Sequence, residues 1–167
     1  NAPRYPENLP IEDIHTPNVK TIDELAGFLK VDHSRLAKSV VYWSDETPVL
    51  VLMMGNDGLN EAKLAGVLGT EVRPIEPERL LELTGADGGS IGPVGLRERT
   101  PASKHFRIIA DKRLEGANNL ISGANRNDYH TKNIDLQRDC QIDGYYDLRA
   151  VMEGEPSPNG QGALRII

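Results

Sequence analysis

Residues 49–54 read Val49-Leu50-Val51-Leu52-Met53-Met54, six apolar residues without a break. A surface strand alternates apolar and polar, because successive side chains point to opposite faces. A strand apolar at every position must be covered on both faces. The run therefore predicts the central strand of a sheet packed between two layers. Ser39-Val40-Val41-Tyr42-Trp43 leads into it through the turn Asp45-Glu46-Thr47-Pro48, so the pair predicts a β-hairpin.

Helix and turn signals surround this hairpin. Thr21-Ile22-Asp23-Glu24 is a capping box, followed at helical spacing by Leu25, Phe28 and Leu29. Asp32 or Ser34 caps a second short helix. Gly55-Asn56-Asp57-Gly58 is a turn; Asn60 then caps a helix that Gly69 stops. Glu71-Val72-Arg73 reads as a short strand, and residues 76–83 as a helix with Pro77 in its first turn. Further strands are predicted at 106–110, at 120–125 and, by alternation, at 145–151. Residues 1–15 carry three prolines and read as an extended arm or linker; residues 154–162 read as a turn-rich loop. The pattern predicts a mixed α/β domain over residues 16–167, with one curved, largely antiparallel sheet and surrounding short helices.

At 167 residues the chain can bury a full core. Only two Phe, one Trp and five Tyr are available, so that core is aliphatic. Cys140 is the only cysteine, which excludes an intrachain disulfide and favours a cytoplasmic address. It reads as a buried thiol more readily than as a nucleophile. No apolar run is long enough to span a bilayer, no signal-peptide pattern is present, and no membrane partner is expected. The start at Asn1 and the apolar end Leu164-Arg165-Ile166-Ile167 suggest a fragment of a longer protein. A net charge of −6 is unlike that of an autonomous nucleic-acid binder. If nucleic acid is the partner, another part of the parent does most of the holding.

Four residue groups are candidates for chemistry. Gly88-Gly89-Ser90-Ile91-Gly92-Pro93-Val94-Gly95-Leu96 mixes four Gly and one Pro with apolar residues, unlike a flexible linker. Glycine permits positive φ and close backbone approach, and proline fixes φ. The reading is a rigid loop between strand-like pieces, its amides turned to an anion or a developing oxyanion. The alternative is a tight turn at a sheet corner. Lys38, where a helix hands over to a strand, reads as aimed into a pocket or as a snorkelling surface residue. His130, in a polar loop context, reads as a general base or substrate partner, or as a histidine bonded to the backbone. Asp111, ending an apolar strand, either orients a substrate amine or caps residues 112–115. His33 and His105 look like surface residues. Motifs for zinc, calcium, GxSxG hydrolases, P-loop NTPases and dinucleotide enzymes are absent, so neither metal nor cofactor is expected.

The chain resembles the insertion domain of bacterial-type prolyl-tRNA synthetases, within the YbaK-like aminoacyl-tRNA deacylases. The resemblance rests on residues 16–25, Lys38-Ser39, Leu59-Asn60-Glu61-Ala62-Lys63-Leu64, and Gly89-Ser90-Ile91-Gly92-Pro93, which fits a GxxxP loop. It continues through Gly123-Ala124-Asn125, Tyr129-His130, Asp147-Leu148-Arg149 and residues 154–162. Ser39 stands where this family more often has Thr. Ala150 replaces an expected Asn, and Glu155 and Asn159 replace expected Asp.

The resemblance implies the YbaK-like fold and an editing activity. Alanine cannot be kept out of a site built for proline, since lost methylenes weaken binding by only about 1–3 kcal/mol. A second sieve then hydrolyses Ala-tRNA(Pro) and spares Pro-tRNA(Pro). Lys38 stands at the position of the family's essential lysine. Gly89, Ser90, Ile91, Gly92 and Pro93 match its pocket loop, and Asp111 and His130 match pocket residues. The implied partners are the alanine-bearing acceptor end of tRNA(Pro) and the rest of an ATP-binding, homodimeric synthetase. Alternatives are a non-catalytic module that positions the acceptor end and a purely structural insertion.

Overall fold

The computed structural model describes residues 3–99 and 105–150. In chain order these form β1 (Glu12–His15), α1 (Ile22–Leu29), β2 (Ala37–Ser44), β3 (Thr47–Met54), α2 (Glu61–Leu68), β4 (Val72–Pro74) and α3 (Pro77–Thr84). There follow α4 (Leu96–Arg99), β5 (Arg107–Asp111), β6 (Leu120–Gly123), β7 (Tyr129–Ile134), α5 (Leu136–Asp139) and β8 (Gly144–Tyr146).

The expected hairpin is β2 and β3, antiparallel, with Ser44 opposite Thr47 at its tip. β3 lies at the middle of a sheet ordered β4-β2-β3-β5-β8 and is covered on both faces. Its alternation divides two cores. Leu50, Leu52 and Met54 pack with Trp43, Phe106 and Ile108, whereas Val49, Val51 and Met53 pack with Leu64, Ile109 and Leu148. Each such buried side chain contributes on the order of 1.5–3 kcal/mol.

The mixed, largely antiparallel α/β class holds, with the strands divided between two sheets. The second sheet is ordered β1-β7-β6. Its link to the first is an isolated parallel bridge between Leu36 and Ile121, reinforced by side chains. The Ser122 hydroxyl donates to the Ala37 carbonyl at 2.6 Å and lies 3.1 Å from the Ser39 hydroxyl. Side-chain stitching of this kind leaves no mark on strand periodicity, so local patterns merge the sheets into one.

Capping chemistry is as read. Thr21 and Glu24 form the reciprocal box on α1. Asp32 caps a 3₁₀ turn at His33–Arg35, and Asn60 and Gly69 bound α2. The segment read as an arm is extended but docked. Residues 12–15 pair with β7, and the Tyr5 amide donates to Asn118 at 2.7 Å.

Two local readings change. His130 lies on β7 rather than in a loop, paired across to Ile14. The strand expected over 145–151 stops at Tyr146. Beyond it the Leu148 amide is captured by Asp111, and the Asn60 amide donates to the Leu148 carbonyl. These bonds draw the chain toward the start of α2. Residues 100–104, Val151 and residues 154–162 lie outside the described residues.

Candidate active site

A cavity of about 270 Å³ opens where the two sheets meet. β2 provides Lys38 and Ser39, the glycine-rich segment provides Gly88, Gly89 and Ile91, and β6 and β7 provide Ser122, Gly123 and His130. Lys20, Thr21, Ile22 and Leu25, around the start of α1, complete the wall.

The glycine-rich segment joins α3 to α4 instead of joining two strands. It begins as a 3₁₀ turn, Gly88–Ser90. Its glycines serve close approach. A Cβ on Gly92 would collide with the Gly123 carbonyl, one on Gly123 with the Ser90 backbone, and one on Gly89 would lie 2.9 Å from the Lys20 carbonyl. Gly92 and Gly123 thus let two backbones cross in contact.

Asn125 locks that crossing. It is fully buried and left-handed, with φ of 62°. Its amide donates to the Ser90 carbonyl at 2.8 Å. Its side chain accepts from the Gly92 amide at 2.9 Å and donates to the Val94 carbonyl at 2.9 Å. The Gly92 amide is therefore used internally, and the Ser90 amide donates to the Asp87 carbonyl. Gly88 and Gly89 open the 3₁₀ turn, where N–H groups have no intrahelical acceptor, and Asp87 supplies no side-chain cap. Within this turn, the Gly88 and Gly89 amides are the ones that geometry leaves without an intrahelical acceptor.

His130 is nearly buried, and its Nδ1 lies 2.6 Å from the Thr16 hydroxyl. Burial holds its pKa below the ordinary histidine value, partly offset by the Gly89 backbone facing the ring. A neutral imidazole bridging Thr16 and Gly89 is a strut between β7 and the loop.

Lys38 makes no ion pair or hydrogen bond among the described residues, although it is only half-buried. Burial lowers its pKa, with the Asp57 carboxylate opposing. Asp57 in turn is raised by burial, against the pull of the Arg113 and Arg149 guanidinium groups. Its Oδ1 accepts from Arg113 at 3.2 Å, and its buried Oδ2 has no hydrogen-bond partner. Desolvation leads at both groups, so their attraction is partial. The ammonium remains available to a ligand.

Of the residues read from sequence, Lys38, Gly89, Ile91 and His130 share this cavity. Ser90 and Gly92 lie behind its wall, in the crossing with Gly123. Pro93 lines a smaller hollow near Cys140. Asp111 is buried outside the lining, its carboxylate taken by the amides of Arg113 and Leu148, both at 2.9 Å. The capping alternative therefore describes its contacts, and it reaches Lys38 only through its repulsion of Asp57. Cys140 packs against the core, and burial pushes its thiol up to about 12, which leaves it protonated at neutral pH. No three His, Cys, Asp or Glu side chains converge as metal ligands do among the described residues.

Sequence reading missed Asn125, Ser122 and Lys20 as parts of the site. Asn125 had a signal, an Asn able to take left-handed backbone beside small residues. Ser122 and Lys20 had none, because only tertiary packing brings them to β2.

Known proteins share this chain's sequence and fold. A family model described as aminoacyl-tRNA editing domain matches residues 16–138. The chain is 41% identical over 163 residues to a proline–tRNA ligase of Lactococcus lactis subsp. cremoris strain MG1363, covering 97% of this chain and 25% of that protein. It is 38% identical over 166 residues to a proline–tRNA ligase of Bacillus subtilis strain 168, covering 99% and 28%. The chain thus spans about a quarter of the length of these relatives. Its fold matches a solved structure described as a candidate trans-editing enzyme for prolyl tRNA synthetase, with a TM-score of 0.69 and 21% identity over 84% of this chain and 87% of that one. The chain belongs to the aminoacyl-tRNA editing domain family.

Proposed function

We propose that this cavity is a deacylase site. In this reading it hydrolyses Ala-tRNA(Pro), spares Pro-tRNA(Pro), and serves as the editing module of a cytoplasmic, homodimeric prolyl-tRNA synthetase. The observation that carries the reading is one hollow shared by an unpaired ammonium, Lys38, and the uncapped 3₁₀ turn at Gly88–Ser90.

The chemistry is the hydrolysis of an activated ester. A water oxygen attacks the carbonyl carbon of the alanyl group. Negative charge then grows on the former carbonyl oxygen, where the amides at 88–89 stabilise it. Each such donor is worth roughly 10²–10³ in rate. The bond to the ribose oxygen breaks, alanine leaves as the acid, and the ribose hydroxyl recovers a proton from the water. The vicinal ribose hydroxyl assists that transfer, since no side chain of the cavity is a free base. His130 already spends its ring on Thr16 and Gly89, so it shapes the wall that faces the amino group. Asp111 supports the floor through residues 113 and 148. Lys38 binds the phosphate or ribose of the terminal adenosine and fixes the ester. The acidic chain leaves most of the grip on tRNA to the rest of the synthetase.

The test is deacylation of Ala-tRNA(Pro) by wild type and Lys38→Ala, with thermal melting to verify folding. Loss of about 10²-fold or more in rate is expected. Near-normal turnover by the folded variant overturns the role of Lys38. Equal hydrolysis of Ala-tRNA(Pro) and Pro-tRNA(Pro) removes the sieve. A folded wild-type chain that hydrolyses neither ester leaves acceptor-end positioning or a purely structural insertion.

A further inference from the structure

Alternation along β2 sends the Lys38 side chain to the same face as Val40 and Tyr42, which pack toward α2. A second cavity, of about 390 Å³, shares Ser39, Val40 and Gly88 with the first, and no charged side chain lines it. In the first cavity the other titratable side chains are Lys20 and His130, and neither is an anion. A counter-charge for the Lys38 ammonium therefore has to come from the α2 face.

The turn after β3 supplies one. Lys38 stands opposite Met53 in the ladder, and the chain bends back just beyond that pair. The Gly55 amide donates to the Leu36 carbonyl at 2.9 Å, and the Asp57 amide donates to the Met54 carbonyl at 2.8 Å. Asp57 is only 9% exposed, and its two oxygens are used unequally. Oδ1 accepts from the Arg113 guanidinium at 3.2 Å, and Arg113 itself sits in a 3₁₀ turn capped by Asp111. Oδ2 is buried and has no hydrogen-bond partner among the described residues. Buried carboxylate oxygens are ordinarily hydrogen-bonded, so an idle one calls for a reason.

Lys38 gives that reason. The carboxylate opposes loss of the lysine's proton, and the ammonium opposes protonation of the carboxylate. The other charges facing Asp57 are the Arg113 and Arg149 guanidinium groups, which favour its ionised form, and Asp111, which repels it. Lys63, also on α2, is already engaged by Asp147 and the Arg149 carbonyl. We propose that Asp57 is a positioning residue for Lys38: the idle half of its carboxylate draws the ammonium to one place on the cavity wall, while Arg113 anchors the other half. The assignment rests on the editing reading, in which Lys38 holds the phosphate or ribose of the substrate. Lys38 closes no ion pair among the described residues, so the carboxylate steers the ammonium without tying it down. The two guanidinium groups weaken that hold further, which lets a phosphate take the ammonium over.

The experiment follows the Lys38 side chain by NMR against pH in the ¹³C-lysine-labelled chain, its resonance assigned by its loss in Lys38→Ala. Asp57→Asn is expected to move the Lys38 midpoint to lower pH, because the anion that opposes proton loss is gone. Arg113→Met is expected to move it the other way, because the same carboxylate is left less compensated. Asp147→Asn, which removes an exposed carboxylate from Lys63, should leave it in place. On Ala-tRNA(Pro), Asp57→Asn is expected to lower kcat/KM about tenfold, with the alkaline limb of its pH profile displaced to lower pH. Thermal melting verifies folding, and if Asp57→Asn does not fold, Arg113→Met carries the test. A Lys38 midpoint that neither variant moves, or that Asp147→Asn moves as far, overturns the proposal. The two readings fail separately. Hydrolysis by the wild type with an unmoved midpoint sinks the positioning role and spares the editing reading. Opposite shifts in the two variants without hydrolysis of Ala-tRNA(Pro) support the coupling of Asp57 to Lys38 and sink the editing reading.

Discussion

The two halves of β2 are built differently. Residues 42–44 are paired on both edges, by β3 and β4, and carry ordinary sheet interior. Residues 37–41 have β3 as their one strand partner, with single bonds from Ile75 to Val41 and from Ser122 to Ala37 on the other edge. Their other edge faces a glycine-rich loop, a second sheet and two cavities. One strand is scaffold at its end and site at its start. A site here does not need a special strand. It needs a strand whose ladder stops early, and neighbours that approach without closing the gap.

That contrast predicts where substitutions hurt most. Gly123→Ala forces a methyl into the Ser90 backbone, which cannot yield as a flexible side chain does. A loss of about 3 kcal/mol or more is expected, a fall in Tm of roughly 6–12 °C, with deacylation lost alongside. A variant of near wild-type Tm would mean that the crossing is looser than described. Asn125→Ala removes the side-chain partners of the Gly92 amide and the Val94 carbonyl and places Ala at positive φ. About 2 kcal/mol should be lost. Deacylation should fall further than the melting curve alone accounts for, because the loop at 88–92 loses its shape.

The closed half should respond only in stability. Ser44 hydrogen-bonds Thr70 at 2.5 Å, and neither residue lines either cavity. Ser44→Ala should cost about 1 kcal/mol and leave kcat and KM on Ala-tRNA(Pro) unchanged. A changed KM would show that the two halves are coupled.

The smallest expected effect is a pH dependence. Burial depresses the His130 pKa in the folded state, so the unfolded chain binds its proton more readily. Its contribution is full above the ordinary value of 6.5 and is lost as pH falls from there toward the depressed folded value. Replacing it in His130→Gln should flatten the decline of Tm with acid below about pH 6.5. An unchanged slope would show that the imidazole already carries its proton in the fold.

Much of the framework was readable along the chain. The unbroken apolar run at 49–54 demanded two covered faces, and the capping residues Thr21, Asp32 and Asn60 marked where helical turns begin. The site was readable in part. Lys38 and His130 could be nominated by residue type and family resemblance, and both reach the same cavity. The reason for Gly92 could not be read, because its steric partner Gly123 lies 31 residues away and touches it through backbone. Asp111 was ambiguous for a similar reason. A carboxylate at a strand end can serve a ligand or two amides, and only the return of the chain at Leu148 decides between them.

The amino-acid order determined local matters: which segments bury both faces, where turns begin, how much charge the surface carries, and which side chains are chemically able. Those depend on neighbours a few residues apart, where periodicity and capping act. Tertiary structure decided how far β4 runs along β2, which glycines had to be glycine, and that Lys38, Gly89 and His130 face one space. These are contacts across tens of residues, set when two sheets pack, and no local pattern encodes the distance between them.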